Sequence, residues 1–128
     1  MLVNIILVGI GGFLGAICRY MGNLTIAKTG LVAHFPLGTL LVNITGCFLI
    51  GFIAYFSDTR DVLSHNVRLF IFTGFLGAFT TFSSFGHETI TLLRGQMPWT
   101  ALANVVLHIV LGLLFVWLGL LAGRMVFR

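Results

Sequence analysis

The sequence predicts an all-α membrane protein: one domain over residues 1–128, with four transmembrane helices and a third helix broken near its middle. Three observations predict it. The 128-residue chain is 59% hydrophobic and 8% charged, whereas soluble domains carry about 25% charged residues. Its uncharged residues fall into four runs, 1–18, 29–57, 69–87 and 95–123. Each run is long enough, or nearly so, to cross a hydrocarbon core that needs roughly 20 helical residues. None of the runs alternates apolar and polar residues as a barrel strand does, so helices satisfy the backbone in lipid.

The first span is placed at residues 2–24. The chain lacks a positively charged segment ahead of its apolar run, so the start reads as a span and not as a cleaved signal peptide. The second span covers 36–56 and the fourth 99–122; Pro36 and Pro98 stand at their starts, where a missing backbone donor costs least. The third span covers 67–93. Cys18 and Cys47 both fall in apolar runs, as free thiols do, and give no disulfide framework. Gly11 with Gly15, and Gly119 with Gly123, have the four-residue spacing that lets helices approach closely, either within one chain or between two.

The net charge is +4, but the seven basic residues are scattered at helix ends and form no patch for nucleic acid. Arg60, Arg68, Arg124 and Arg128 belong to one side of the membrane, and Arg19, Lys28 and Arg94 to the other. Fixed orientation normally shows a clear cytoplasmic excess of Lys and Arg. Four against three permits insertion both ways round, and a pair of oppositely inserted copies would have its axis in the membrane plane. One copy of four helices encloses and shields a polar path poorly, so a second copy is expected.

Polar residues at depth cost several kcal/mol without a partner. Asn43 lies mid-way through the second span, with Thr39 one turn before it; its amide suits either a neighbouring helix or an anion. The third span holds Thr73-Gly74-Phe75-Leu76-Gly77-Ala78-Phe79-Thr80-Thr81-Phe82-Ser83-Ser84-Phe85. Two glycines and then four hydroxyl residues, Thr80, Thr81, Ser83 and Ser84, make poor helix material, so a break is predicted here. Irregular backbone at this depth is tolerated when buried in protein or lining a cavity, and its freed carbonyls are cation ligands. Phe79, Phe82 and Phe85 are three apart and predict one aromatic stripe, serving either as core or as positive ring edges facing an anion. His108, alone in an apolar helix, predicts an imidazole hydrogen-bonded between helices or a pore-lining donor; metal-ligand spacing is missing around it. Glu88 is expected to pair with Arg94 or to face a vestibule.

Gly38-Thr39-Leu40 with Asn43, then Thr73-Gly74-Phe75 and Thr80-Thr81-Phe82-Ser83-Ser84-Phe85, resemble the Fluc (CrcB) family of fluoride channels, a similarity that runs the length of the chain. The resemblance implies a dual-topology homodimer of antiparallel subunits with two fluoride pores, passively exporting fluoride across the cell (inner) membrane. By motif, Asn43 matches the pore asparagine, and Phe82 and Phe85 match the phenylalanines whose ring edges line the path. Gly77 and Thr80 match the backbone carbonyls that hold a central structural sodium ion, two from each subunit. Arg19 matches an arginine near an aqueous vestibule, and is otherwise an interfacial anchor. Ala78 and Phe79 depart from the family's usual Gly and Leu, and Asn104, His108 and Gly112 stand where other members carry hydroxyls. The candidate fluoride path is therefore Asn43, Phe82, Phe85, Thr39, Ser83 and His108.

The rival reading is a small dimeric proton-coupled exporter of the four-helix drug-resistance type. Such exchange needs a carboxylate at membrane depth; the first two spans have none, and Glu88 lies toward a span end. A non-transporting assembly subunit leaves the broken third span unexplained. No nucleophile with its base, metal cluster or phosphate loop suggests an enzyme.

Overall fold

The computed structural model describes residues 1–28, 35–59 and 63–126. His34, Arg60 and Arg128 lie outside the described residues. Every described element is helical: α1 (Leu2–Lys28), α2 (Leu37–Thr59), the short α3 (His65–Arg68), a π-helical segment (Leu69–Leu76), α4 (Gly77–Phe79), α5 (Phe82–Arg94) and α6 (Pro98–Val126). They form four helical stretches long and apolar enough to cross a membrane: Leu2–Lys28, Leu37–Ser57, His65–Arg94 and Pro98–Val126. The first, third and fourth extend past their expected spans by a few residues, because interfacial turns stay helical beyond the apolar run, and the second is displaced by one residue.

The helices pack as two parallel pairs. Along α2 and α6, Cys47 lies against Gly112, Gly51 against Val116 and Phe52 against Gly119, so the two run in the same direction. Along α1 and the third span, Gly11 meets Phe70 and Gly74, and Gly15 meets Phe75. This is the order that four successive crossings dictate. Between α1 and α2, Asn23 sits on Gly38. The guanidinium of Arg68 donates to the Ser57 carbonyl at 3.4 Å and lies 6.0 Å from the Phe72 ring centre, tying the start of the third span to the end of the second.

Both glycine pairs thus serve packing within the chain. A Cβ at Gly119 would run into the Phe48 carbonyl and lie 2.7 Å from the Phe52 amide, both backbone atoms of α2 that have no room to yield. Gly119→Ala is expected to lower stability by about 3 kcal/mol, read as a drop in thermal midpoint in detergent. Gly9→Ala, where a Cβ meets nothing within 4 Å, is the control and leaves the midpoint unchanged.

The core is small. Leu40, Val42, Ile44, Leu76, Leu92 and Ala101 are its buried apolar residues, while Ile5, Ile6, Ile10 and Phe13 of α1 and Val110, Leu113 and Trp117 of α6 are exposed. That outward apolar surface suits lipid tails and would be a liability in water. Cys18 and Cys47 are free thiols, as expected.

The third span is broken, as its glycines and hydroxyls predict. Thr80 and Thr81 leave the helix with φ, ψ of −82°, 157° and −150°, 115°. The break separates Phe79 from Phe82, which overturns the single aromatic stripe: Phe79 stacks on Phe75 at 5.9 Å, whereas Phe82 lies 5.3 Å from Phe85. The π-helical turn before the break was not foreseen; single π turns recur inside helices at functional sites.

Candidate functional site

The break is held open from α2. The Asn43 side-chain oxygen accepts from the Thr81 amide at 2.8 Å, and its NH2 group donates to the Thr81 carbonyl at 3.1 Å. One side chain therefore satisfies both backbone groups of a residue that cannot take part in a helix, at a depth where little water is available to do so. One turn further along α2, Gly46 gives the Thr80 methyl its seat, since any Cβ there would strike it. Asn43 and Gly46 make one cradle for Thr80 and Thr81.

The restart of the helix is capped from within. The Thr81 hydroxyl oxygen accepts from the Ser84 amide at 3.2 Å and lies 3.0 Å from the Ser84 hydroxyl and 3.2 Å from that of Ser83. This is an N-cap, worth about 1 kcal/mol.

Two donors are diverted by these bonds. In an unbroken helix the Thr81 amide would bond the Gly77 carbonyl, and the Ser84 amide the Thr80 carbonyl. Here those amides go to Asn43 and to the Thr81 hydroxyl. The Thr80 amide and hydroxyl both turn back to the Leu76 carbonyl, at 3.0 and 2.9 Å. The carbonyls of Gly77 and Thr80 have thereby lost their helical partners.

Beside the break lies a cavity of about 350 Å³ whose lining includes Asn43, Gly77, Thr80, Phe82, Phe85 and His108. Six of the nine sequence-predicted site residues are thus brought together. Phe85 stands between its neighbours: its ring centre is 5.3 Å from that of Phe82 and 4.5 Å from that of His108. Phe82 lines the cavity and is 83% exposed, an apolar ring at the surface of the chain. Asn43 has used one of its two amide hydrogens on Thr81, and the second remains for another acceptor.

The remaining three lie elsewhere. Ser83 is exposed beside the cap. Thr39 is buried in the first turn of α2, where its hydroxyl donates to the Glu88 carboxylate at 2.6 Å. This corrects the expected Glu88–Arg94 pairing: α5 turns Glu88 toward α2, and one carboxylate oxygen is taken by Thr39. Arg19 is half-buried on α1 and does not line the cavity. His108 bonds not between helices but along its own, with Nδ1 2.9 Å from the Asn104 carbonyl. Asn104, fully buried, supplies the interhelical bond instead, donating to the Thr89 hydroxyl at 2.9 Å.

Sequence reasoning missed Gly46, Cys47 and Thr81 as parts of this site. For Thr81 a signal existed, a threonine three residues before a serine at a helix restart; for Gly46 and Cys47 only the fold brings them to the cavity.

Fold and site together define a multi-pass helical membrane protein with an aromatic-lined cavity at a broken third span. The chain belongs to the CrcB family: residues 6–120 match the family described as "CrcB-like protein, Camphor Resistance (CrcB)". Similar curated proteins carry the name fluoride-specific ion channel FluC. That of Clostridium perfringens (strain 13 / Type A) is 43% identical over 122 residues, covering 95% of this chain and 94% of its own. That of Dehalococcoides mccartyi (strain CBDB1) is 39% identical over 123 residues, covering 95% and 93%. That of Salinibacter ruber is 42% identical over 118 residues, covering 92% and 87%. These names are those of ion channels, not enzymes.

Proposed function

We propose that this protein is a passive fluoride channel of the cell (inner) membrane, with the ion path running through the cavity beside the third-span break. The observation that carries the reading is the Asn43 cradle, which spends one amide hydrogen to hold the break and leaves the other for an acceptor, on a residue that lines a cavity together with Phe82 and Phe85. Fluoride accepts hydrogen bonds strongly, and a selective path must replace its water with donors in a narrow space while letting it leave again. Amide hydrogens and polarised ring edges do both, since none is a full charge. The names of the relatives support the same ion. In a bacterium deleted for its own fluoride exporter, expression of this chain is expected to restore growth in fluoride, and unchanged sensitivity would contradict the reading. Thr39 and Ser83 remain candidates for the ends of the path.

The working unit in this proposal is an antiparallel homodimer with two pores. The exposed Phe82 supports it, because a cavity-lining ring at the surface of the chain needs a second copy to close the path. Near-balanced basic residues support insertion in both orientations. A cysteine at Ser64, exposed beside the second connection, in a background lacking Cys18 and Cys47, is expected to be labelled from both sides of the membrane. Labelling from one side alone would exclude dual topology.

A structural sodium ion belongs to the same proposal. The residues fit it: the carbonyls of Gly77 and Thr80 are those whose helical donors have been diverted, and carbonyl oxygens suit a hard monovalent cation. Two such pairs, one from each subunit, would supply four ligands. Because the ligands are backbone atoms, Thr80→Ser is expected to be mild. Replacing sodium by a bulky organic cation is expected to lower the dimer's thermal midpoint, and no change would remove the ion from the account.

A further inference from the structure

We propose that Gly46 is the positioning residue of the third-span break: the missing side chain on α2 sets where Thr80 stands, and with it the Thr80 carbonyl. The proposal rests on the channel and sodium readings above and extends them to a residue that has no polar side chain of its own. Its starting point is what a Cβ would meet at each glycine. At Gly11, Gly15, Gly51 and Gly119 the nearest atom is a backbone oxygen of a neighbouring helix, as close helix packing requires. At Gly46 it is a side-chain methyl, the Cγ2 of Thr80, with the Phe79 ring next at 3.3 Å. Carbon atoms in contact stand roughly 3.5–4.0 Å apart, so the seat holds one methyl group, supplied from either side.

Thr80 cannot turn its methyl elsewhere without loss. Its hydroxyl donates to the Leu76 carbonyl at 2.9 Å, which fixes the side-chain rotamer, and its amide donates to the same carbonyl at 3.0 Å. The next residue is held at both backbone groups by Asn43, at 2.8 and 3.1 Å. Thr80 is therefore pinned before, after and through its side chain, in an extended conformation (φ −82°, ψ 157°) that no helix supports. A Cβ at position 46 displaces the whole residue. The displaced atoms include the Thr80 carbonyl, whose helical donor, the Ser84 amide, has gone to the Thr81 hydroxyl.

Asn43 and Gly46 are three residues apart and so share a face of α2, and both line the cavity with Gly77 and Thr80. That one face fixes the break twice over: Asn43 orients the backbone of Thr81, and Gly46 sets how closely Thr80 approaches α2. Binding sites hold their ligands to within about 0.5 Å of the productive geometry, and relieving the overlap at position 46 needs a larger movement than that. The residue at 46 thereby governs whether the Thr80 carbonyl can serve a cation.

The test is a double-mutant cycle. Gly46→Ala adds the Cβ; Thr80→Ser removes the methyl and keeps the hydroxyl that bonds Leu76. Wild type, both single variants and the double variant are compared by two readouts. One is the difference between thermal midpoints in sodium and in N-methylglucamine, and the other is fluoride efflux from proteoliposomes. Thr80→Ser is expected to stay near wild type in both. Gly46→Ala is expected to lose the sodium-dependent part of its midpoint and to conduct roughly tenfold more slowly, and the double variant to regain the sodium response and conduct within about threefold of wild type. The sodium response is what a packing role would not move, because a merely destabilised protein loses midpoint equally in both salts. Wild-type behaviour in Gly46→Ala, or a double variant no better than Gly46→Ala, overturns the inference. Should Gly46→Ala fail to fold, recovery of a folded double variant supports the inference and no recovery overturns it. A wild type that releases no fluoride would sink the channel reading, and one without a sodium response the sodium reading. In either case the midpoints of the four proteins still decide whether positions 46 and 80 share one seat.

Discussion

Asn43→Asp is expected to abolish fluoride flux. The aspartate can still accept from the Thr81 amide, so the first half of the clamp at 2.8 Å survives. Its second half does not: a carboxylate oxygen would face the Thr81 carbonyl where an N–H now donates. The larger effect is on the ion. A negative charge about 4 Å from the path raises the cost of an anion by about 4 kcal/mol at an effective dielectric constant of 20, or roughly a thousandfold in rate. Asn43→Ala removes both bonds and leaves the Thr81 amide and carbonyl unsatisfied at depth, at about 1–3 kcal/mol each. The aspartate variant should therefore fold but not conduct, and the alanine variant, which loses both bonds, should also show the larger drop in thermal stability. Wild-type flux in Asn43→Asp would reduce the residue to packing.

The second large effect is expected at the phenylalanines. Phe82→Ile and Phe85→Ile keep each position apolar and of similar reach but remove the ring's polarised edge, worth about 0.5–1.5 kcal/mol per contact. Each is expected to lower flux roughly tenfold. Phe85→Ile should cost more, because that ring also packs against His108 at 4.5 Å. Phe79→Leu is the comparison. Phe79 stacks on Phe75 on the far side of the break and is expected to leave flux within about a factor of two of wild type. Equal losses at all three positions would show that these rings act through packing alone.

Much of this architecture was legible because hydrophobic length is a one-dimensional property. Four apolar runs gave four spans, and Gly74, Gly77 and the hydroxyl cluster marked the break. What holds the break was not legible. Asn43 and Thr81 are 38 residues apart, and sequence shows that an amide at depth needs a partner without showing which one. The same holds for Glu88, where Arg94 was the neighbour in sequence and Thr39 the neighbour in space. The aromatic stripe failed for a local reason. Its three-residue spacing assumes a continuous helix, and the predicted break lies between its first and second members. The sequence predicts freed carbonyls at the break as cation ligands, but only family resemblance singles out Gly77 and Thr80. Their physical rationale came from the fold, which gives their helical donors to Asn43 and to the Thr81 hydroxyl.

Fluoride efflux from liposomes holding the purified protein tests the central claim most directly. Vesicles are loaded with fluoride or with chloride, pH is equal on both sides, and a potassium carrier opens the counter-ion path. The account predicts rapid emptying of fluoride, retention of chloride, and no requirement for a proton gradient. Equal loss of the two anions, or fluoride loss only when a proton gradient drives it, would contradict a passive fluoride-selective pore at the third-span break.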